Sequence, residues 1–250
     1  MTNAMIDEVF ASIQGEGPWT GQRHIFVRFI GCDLRCSYCD TPEAVKEPAG
    51  GEQRPCRAQI SPYTFERENL QNPIPPLALT GLCSRLVIRG PSRPIVSLTG
   101  GEPLLHREFL QEWLPEMRNS FRIYLETNGI HHEAMKEMNR LVDIVSMDMK
   151  LPSATGQKAH WEEHRTFLTA ASGPALFVKV VVTRTTAADD IIAAARLLAE
   201  HDRRLAFIIQ PAGGVCAPDI KDLVRFQHSA LEVLEDVRVL PQVHRMLGMP

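Results

Sequence analysis

Three cysteines stand closer together than any others in the chain: Cys32-Asp-Leu-Arg-Cys36-Ser-Tyr-Cys39. The other three, Cys56, Cys83 and Cys216, lie far apart. A secreted disulfide scaffold would be shorter and denser in cysteine, so the cluster reads as metal-binding or redox-active. Gaps of three and two residues let one loop wrap its thiolates around a face of an iron–sulfur cubane. Such clusters normally take four cysteines. Three local ligands leave one iron with an open position for a bound molecule, as an open position separates catalytic from structural zinc. A structural zinc site would need a fourth ligand and a distant C-x2-C pair. An electron-carrying ferredoxin would show a fourth cysteine followed by proline. Three ordinary buried cysteines at this spacing would be a coincidence.

Further candidates fall where short apolar runs end. Thr99-Gly100-Gly101-Glu102-Pro103 offers bare backbone amides, glycines that let a charged ligand approach, and a carboxylate able to pair with an ammonium. Glu126-Thr127-Asn128-Gly129 carries a second carboxylate. Met147-Asp148-Met149-Lys150 adds a cation, and Gln210-Pro211 an amide. By themselves, GG and ETNG could equally be plain turns.

These segments are positioned by alternating strands and helices. Apolar runs predict strands at Ile25–Ile30, Pro94–Leu98, Phe121–Leu125, Val142–Met147, Leu176–Val182, Leu205–Ile209 and Val237–Leu240. Three- and four-residue apolar spacing predicts helices over Glu108–Met117, Glu133–Leu141, Ala187–Glu200 and Asp219–Leu234. This order implies a parallel sheet with right-handed crossovers, and six or seven units suit a partial (β/α) barrel. In such barrels ligands gather at the C-terminal strand ends, where the candidates lie. The chain reads as one α/β domain over 1–250. Residues 42–93, rich in Pro, Gly and Arg, read as an irregular insertion.

Composition narrows the class. Hydrophobic residues at 44% and charged residues at 23% suit a buried core. A net charge of −3 without a basic stripe argues against nucleic acid as a partner. No apolar run reaches membrane-spanning length, and Met1–Phe10 lacks the pattern of a secretory signal. A cytoplasmic, membrane-free protein is the expectation.

The C-x3-C-x2-C spacing, with aromatic Tyr38 before the last cysteine, resembles the hallmark of radical S-adenosylmethionine (SAM) enzymes. That resemblance implies a [4Fe-4S] cluster on Cys32, Cys36 and Cys39. It also implies SAM contacts from Ser37, Tyr38, Gly100, Gly101, Glu102, Glu126, Asp148, Lys150 and Gln210. Asp148-Met149-Lys150 departs at two of three positions from the Ser-Pro-Lys of many relatives. Further motifs narrow the choice: Ser12-Ile13-Gln14-Gly15-Glu16-Gly17, Arg28, Asp40-Thr41 after the cysteines, and Pro241-Gln242-Val243-His244 near the end. Together they resemble the 7-carboxy-7-deazaguanine synthase family.

That family resemblance implies ring contraction of 6-carboxy-5,6,7,8-tetrahydropterin with loss of ammonia, for queuosine and other deazapurines. It implies Mg2+ on Thr41, a homodimer, and an external one-electron reductant of flavodoxin type. Substrate contacts are implied for Ile13, Gln14, Gly15, Glu16, Arg28, Thr99, His244 and the Pro250 terminus. An amide and a carboxylate complement an aminopyrimidinone edge, and a guanidinium suits a carboxylate. Alone, His244 would read as an ordinary surface or core histidine, and Pro250 as a frayed end. Two rivals stand beside this reading. A glycyl-radical-enzyme activase would often carry further cluster cysteines in C-x2-C pairs, and a non-catalytic iron–sulfur sensor or carrier would not need GGEP.

Overall fold

The structure, a computed structural model, describes residues 2–45 and 54–249. Its strands are β1 (Ile6–Ile13), β2 (Arg23–Phe29), β3 (Cys56–Gln59), β4 (Arg67–Leu70), β5 (Ile95–Gly100), β6 (Arg122–Thr127), β7 (Ile144–Asp148), β8 (Ala175–Val182), β9 (Phe207–Pro211) and β10 (Val237–Val239). They form one open sheet in the order β10-β9-β8-β7-β6-β5-β2-β1-β3-β4. From β2 and β5 through β10 every pairing is parallel. β1 returns antiparallel along β2, while β3 runs parallel to β1 and is closed by antiparallel β4.

Helices α1 (Pro42–Val45), α2 (Pro76–Arg85), α3 (Arg107–Met117), α4 (His132–Met138), α5 (Pro152–Thr155), α6 (Trp161–Ala170), α7 (Ala188–Asp202), α8 (Ile220–Leu231) and α9 (Val243–Met246) complete the described elements. α3, α4, α6, α7 and α8 occupy the crossovers between parallel strands. Their apolar stripes, such as Phe109, Leu110, Trp113, Leu114 and Met117 of α3, bury against one face of the sheet in the main core.

The other face curves inward, and the period of two along each strand arranges it in tiers. Ile95, Tyr124, Ile144, Phe177 and Ile208 make a small apolar cluster with Trp19 and Leu240. Two positions onward on the same strands come Ser97, Glu126, Ser146, Lys179 and Gln210. Two further come Thr99, Asn128, Asp148, Val181 and Ala212. Trp19 belongs to the β1–β2 connection, which enters from the N-terminal ends of the parallel strands. It stacks on Phe177 at 5.6 Å and meets Tyr124 edge-on at 6.0 Å, contacts that favour a fixed seat beyond their area alone. The barrel is partial, and this connection plugs its lower end.

All seven expected strands are present, with ends shifted by at most two residues. The expected irregularity of 42–93 is corrected in its described part, which carries β3, β4 and α2. β3 (CRAQ) and β4 (RENL) are four residues each and mostly polar, too short and too charged to show a strand period. β1 also went unrecognised as a strand, although it is buried almost throughout.

Candidate functional site

The cysteine loop leaves the end of β2 and is tied down on both flanks. Gly31 N donates to Ala44 O at 2.8 Å and Cys32 N to Val45 O at 3.1 Å, which fastens it to α1. Ser37 N donates to Thr155 O at 3.1 Å and Ser37 Oγ to Ala154 O at 2.8 Å, which fastens it to α5. The floor is the turn after β5. Gly101 N donates to Phe29 O at 3.0 Å and Glu102 N to Gly31 O at 2.7 Å. A Cβ on Gly101 would lie 1.9 Å from the Gly31 carbonyl oxygen. Glycine is required there by the base of the cysteine loop itself, whatever ligand approaches.

Cys32, Cys36 and Cys39 are free thiols that line one cavity of about 400 Å³. Burial pushes Cys32 up to about 11 and raises Cys36. Leu34 N donates to Cys32 Sγ at 3.4 Å, and Gln157 Nε2 to Cys36 Sγ at 3.8 Å. Such N–H groups suit thiolates bound to iron. Among the described residues, no three His, Cys, Asp or Glu side chains are gathered as ligands of a single metal ion. Three thiols on one cavity wall suit the irons of an iron–sulfur cluster.

The same cavity is lined by Ile13, Gln14, Glu16, Arg28, Tyr38, Thr41, Thr99, Gly100, Gly101, Glu126, Asp148, Lys150, Gln210 and His244. At its centre lies Glu16, presented by the plugging connection. Its Oε2 pairs with Lys179 Nζ; its Oε1 accepts from Gln210 Nε2 at 3.0 Å and from Gln242 Nε2 at 2.7 Å. Burial pulls this carboxyl up, but the Lys179 charge and the three donors outweigh it and hold Glu16 at about 2. Gln14 donates from Nε2 to Glu126 Oε1 at 3.0 Å, and Thr99 Oγ1 to Glu126 Oε2 at 2.7 Å. Burial, then the Glu16 charge, raises Glu126. Glu126 thus stands among the residues expected at the substrate.

Lys150 Nζ pairs with Asp148 Oδ2 at 2.8 Å and lies 5.6 Å from the Tyr38 ring centre. Two buried acceptors lining the cavity have no protein partner: Asp148 Oδ1 and Gln210 Oε1. Two orphaned acceptors in the cavity that the cysteines line fit a polar cofactor such as SAM, since buried polar groups otherwise find partners.

Three expected site residues stand apart. Glu102 does not line the cavity: its buried carboxylate accepts from Leu104 N at 3.0 Å, Thr127 Oγ1 at 2.8 Å and Asn128 N at 2.7 Å. It joins the ends of β5 and β6 rather than facing a ligand. Ser37 spends its hydroxyl on α5. Gly15 sits beneath His244, where a Cβ would meet the imidazole Nδ1 at 2.0 Å. Pro250 lies outside the described residues.

Sequence reasoning missed Lys179, and gave Asn128 and Gln242 only as members of their motifs, without a role. Lys179 had a readable signal, being the one charge in Leu-Phe-Val-Lys-Val-Val-Val, on the inward parity of β8. The contacts of Gln242 and Arg245 had none, because their partners are distant in sequence. Arg245 Nη2 donates to Asp40 Oδ2 at 2.8 Å, and Val243 N to Gly15 O at 3.0 Å. The C-terminal segment thereby bridges the plug and the cysteine loop.

The family model of the radical SAM superfamily matches residues 26–210, from β2 through most of β9. A 7-carboxy-7-deazaguanine synthase of Geobacter sulfurreducens is 37% identical over 98% of this chain and 97% of its own length. One of Methanothermobacter thermautotrophicus is 34% identical over 100% of this chain and 99% of its own. In fold, the crystal structure of QueE from Escherichia coli aligns with a TM-score of 0.60 at 21% identity, covering 96% of this chain and 94% of that one. A parallel partial barrel with a C-x3-C-x2-C loop at its strand ends is the framework of an enzyme that works through radicals. The chain belongs to the radical SAM superfamily and, within it, to the 7-carboxy-7-deazaguanine synthase family.

Proposed function

We propose that this chain is a lyase that converts 6-carboxy-5,6,7,8-tetrahydropterin to 7-carboxy-7-deazaguanine with loss of ammonia. One observation carries the reading: the cysteine loop and the Gln14, Glu16, Arg28, Thr99 and His244 set line a single cavity. The fold brings them in from opposite ends of the barrel.

Cys32, Cys36 and Cys39 would hold the [4Fe-4S] cluster. Tyr38, Asp148, Lys150 and Gln210 would hold SAM, with Gly100 and Gly101 giving it close backbone. When bound, the cluster and SAM together supply reductive carbon–sulfur cleavage and the hydrogen abstraction that starts the reaction. The chain's own residues orient and shield. Glu16 is anionic and can accept from the pterin's N–H groups, and Gln14 can both donate and accept. Arg28 faces the substrate carboxylate, and His244 covers the pterin from the C-terminal segment. Ile13 shapes the near wall, Gly15 gives His244 room to seat, and Ser37 and Glu102 brace the loop and turn that meet the cofactor.

Thr41 offers one neutral oxygen on the cavity wall. That suits Mg2+ if substrate oxygens and water complete a hard, hydrated coordination sphere. Among the described residues no helix is long and apolar enough to cross a membrane. A cytoplasmic homodimer fed by a flavodoxin-like reductant completes the proposal.

Anaerobic reconstitution with iron and sulfide, followed by SAM, dithionite, Mg2+ and the carboxytetrahydropterin, tests it by mass spectrometry. Release of 7-carboxy-7-deazaguanine supports both class and substrate. Deoxyadenosine without the deazapurine would sink the substrate. Neither product, from protein with a verified cluster, would sink the enzymatic reading.

A further inference from the structure

Arg28 is not held by the cavity alone. Its Nε donates to Glu8 Oε1 at 2.8 Å, and its guanidinium carbon lies 5.7 Å from the Phe10 ring centre. Among the described residues its two Nη groups have no partner. Glu8 Oε2 in turn accepts from Arg67 Nη1 at 2.7 Å, with Arg57 Nη2 3.5 Å away. Arg67 lies over the same Phe10 ring at 5.6 Å. Next to Glu8, buried Asp7 takes Arg54 and Arg57. Arg57 and Arg67 belong to β3 and β4, in the segment that reads from sequence as an irregular insertion.

From this arrangement we infer that Glu8 and Arg67 are positioning residues for the substrate's carboxylate, acting through Arg28. The inference rests on the reading above that Arg28 meets that carboxylate. Two physical arguments carry it. The first is geometry. With Nε committed to Glu8, the guanidinium can offer a ligand carboxylate only its Nη edge, as a bidentate pair fixed in direction. The second is charge. Glu8 alone would neutralise Arg28 and compete with the substrate. Arg67 and Arg57 share that carboxylate, and four guanidiniums face two acids in this cluster. Arg28 therefore keeps uncompensated positive charge facing the cavity, and the β3–β4 hairpin serves substrate recognition.

The test is equilibrium binding to the anaerobically reconstituted protein with SAM present. It compares 6-carboxy-5,6,7,8-tetrahydropterin with tetrahydropterin lacking the carboxyl group. Glu8→Gln is expected to weaken the carboxylated ligand about tenfold or more, the scale of a lost charge-assisted hydrogen bond, and to leave the other ligand within twofold. Arg67→Gln is expected to shift the same preference in the same direction, and Arg67→Lys to restore most of it. Asp7→Asn, which loosens the neighbouring ion pairs without touching Arg28, controls for general damage to the hairpin and should leave the preference intact.

If Arg28→Ala abolishes the preference for the carboxylated ligand while Glu8→Gln and Arg67→Gln retain it, the positioning role is overturned and the Arg28 reading stands. If Arg28→Ala also retains the preference, the Arg28 reading itself fails and takes this inference with it. Equal weakening of both ligands by Glu8→Gln, Arg67→Gln and Asp7→Asn would mean that the hairpin acts only through the fold, and would likewise overturn the proposal.

Discussion

At the scale of single residues, the site is organised by one buried ion pair that was only half legible. Gln14 and Glu16 are readable from their motif, whereas Lys179 becomes a site residue only once β8 is curled beside the plugging connection. The pair lies among amides and carboxylates, so removing one partner should cost far more than removing both. Lys179→Met is expected to destabilise the fold by about 3 kcal/mol or more, and Glu16→Gln in the same chain should recover much of that loss. Glu16, held at about 2 against an ordinary 4.5, adds stability above pH 4.5 that is lost as pH falls toward 2. Lys179 is raised from its ordinary 10.5, chiefly by Glu16 against the pull of burial. Its share is full below pH 10.5 and fades only in stronger base. Denaturant titrations should therefore show the widest gap between wild type and Lys179→Met above neutral pH, closing as pH falls toward 2. A gap under 1 kcal/mol at neutral pH would contradict the assignment.

At the scale of elements, the turn after β5 and the base of the cysteine loop are one construction. The TGGEP signature is readable in sequence, but the reason for its second glycine is not. That reason is a backbone oxygen, Gly31 O, brought in by a loop that is remote in the chain. Gly101→Ala should displace the loop and lower iron and acid-labile sulfide per chain to less than half of wild type, measured after matched reconstitution. Full cluster loading would show that the glycine serves only the approach of a ligand. The β2–β5 pairing supplies a second test. His24, bonded through Nδ1 to Ser97 Oγ at 2.7 Å, is pushed down to about 4 by burial and then by the Arg122 charge. Between pH 6.5 and 4 the unfolded chain binds a proton there that the folded chain refuses, so stability falls with acid. His24→Phe, which can stack on Phe26 and meet Tyr124 edge-on, should reduce that fall by up to about 1.4 kcal/mol per pH unit. Parallel stability curves over that range would refute the buried-neutral histidine.

Across the whole molecule, the parallel half of the sheet was readable because each strand there is a buried apolar run ending in a turn. β3 and β4 were not, since each is only four residues long and mostly polar, with just Cys56 and Ala58 of β3 buried in the main core. The C-terminal segment was readable as a motif but not as a bridge. These parts converge on one claim, that the pterin and the cysteine loop share a single cavity. The most direct measurement uses carboxytetrahydropterin deuterated at C6, in a single anaerobic turnover with reconstituted enzyme, SAM and Mg2+. The account predicts deuterium in the released 5′-deoxyadenosine together with formation of 7-carboxy-7-deazaguanine. Unlabelled 5′-deoxyadenosine alongside intact deuterated substrate would show that the pterin does not lie within reach of the cofactor, and would contradict the account.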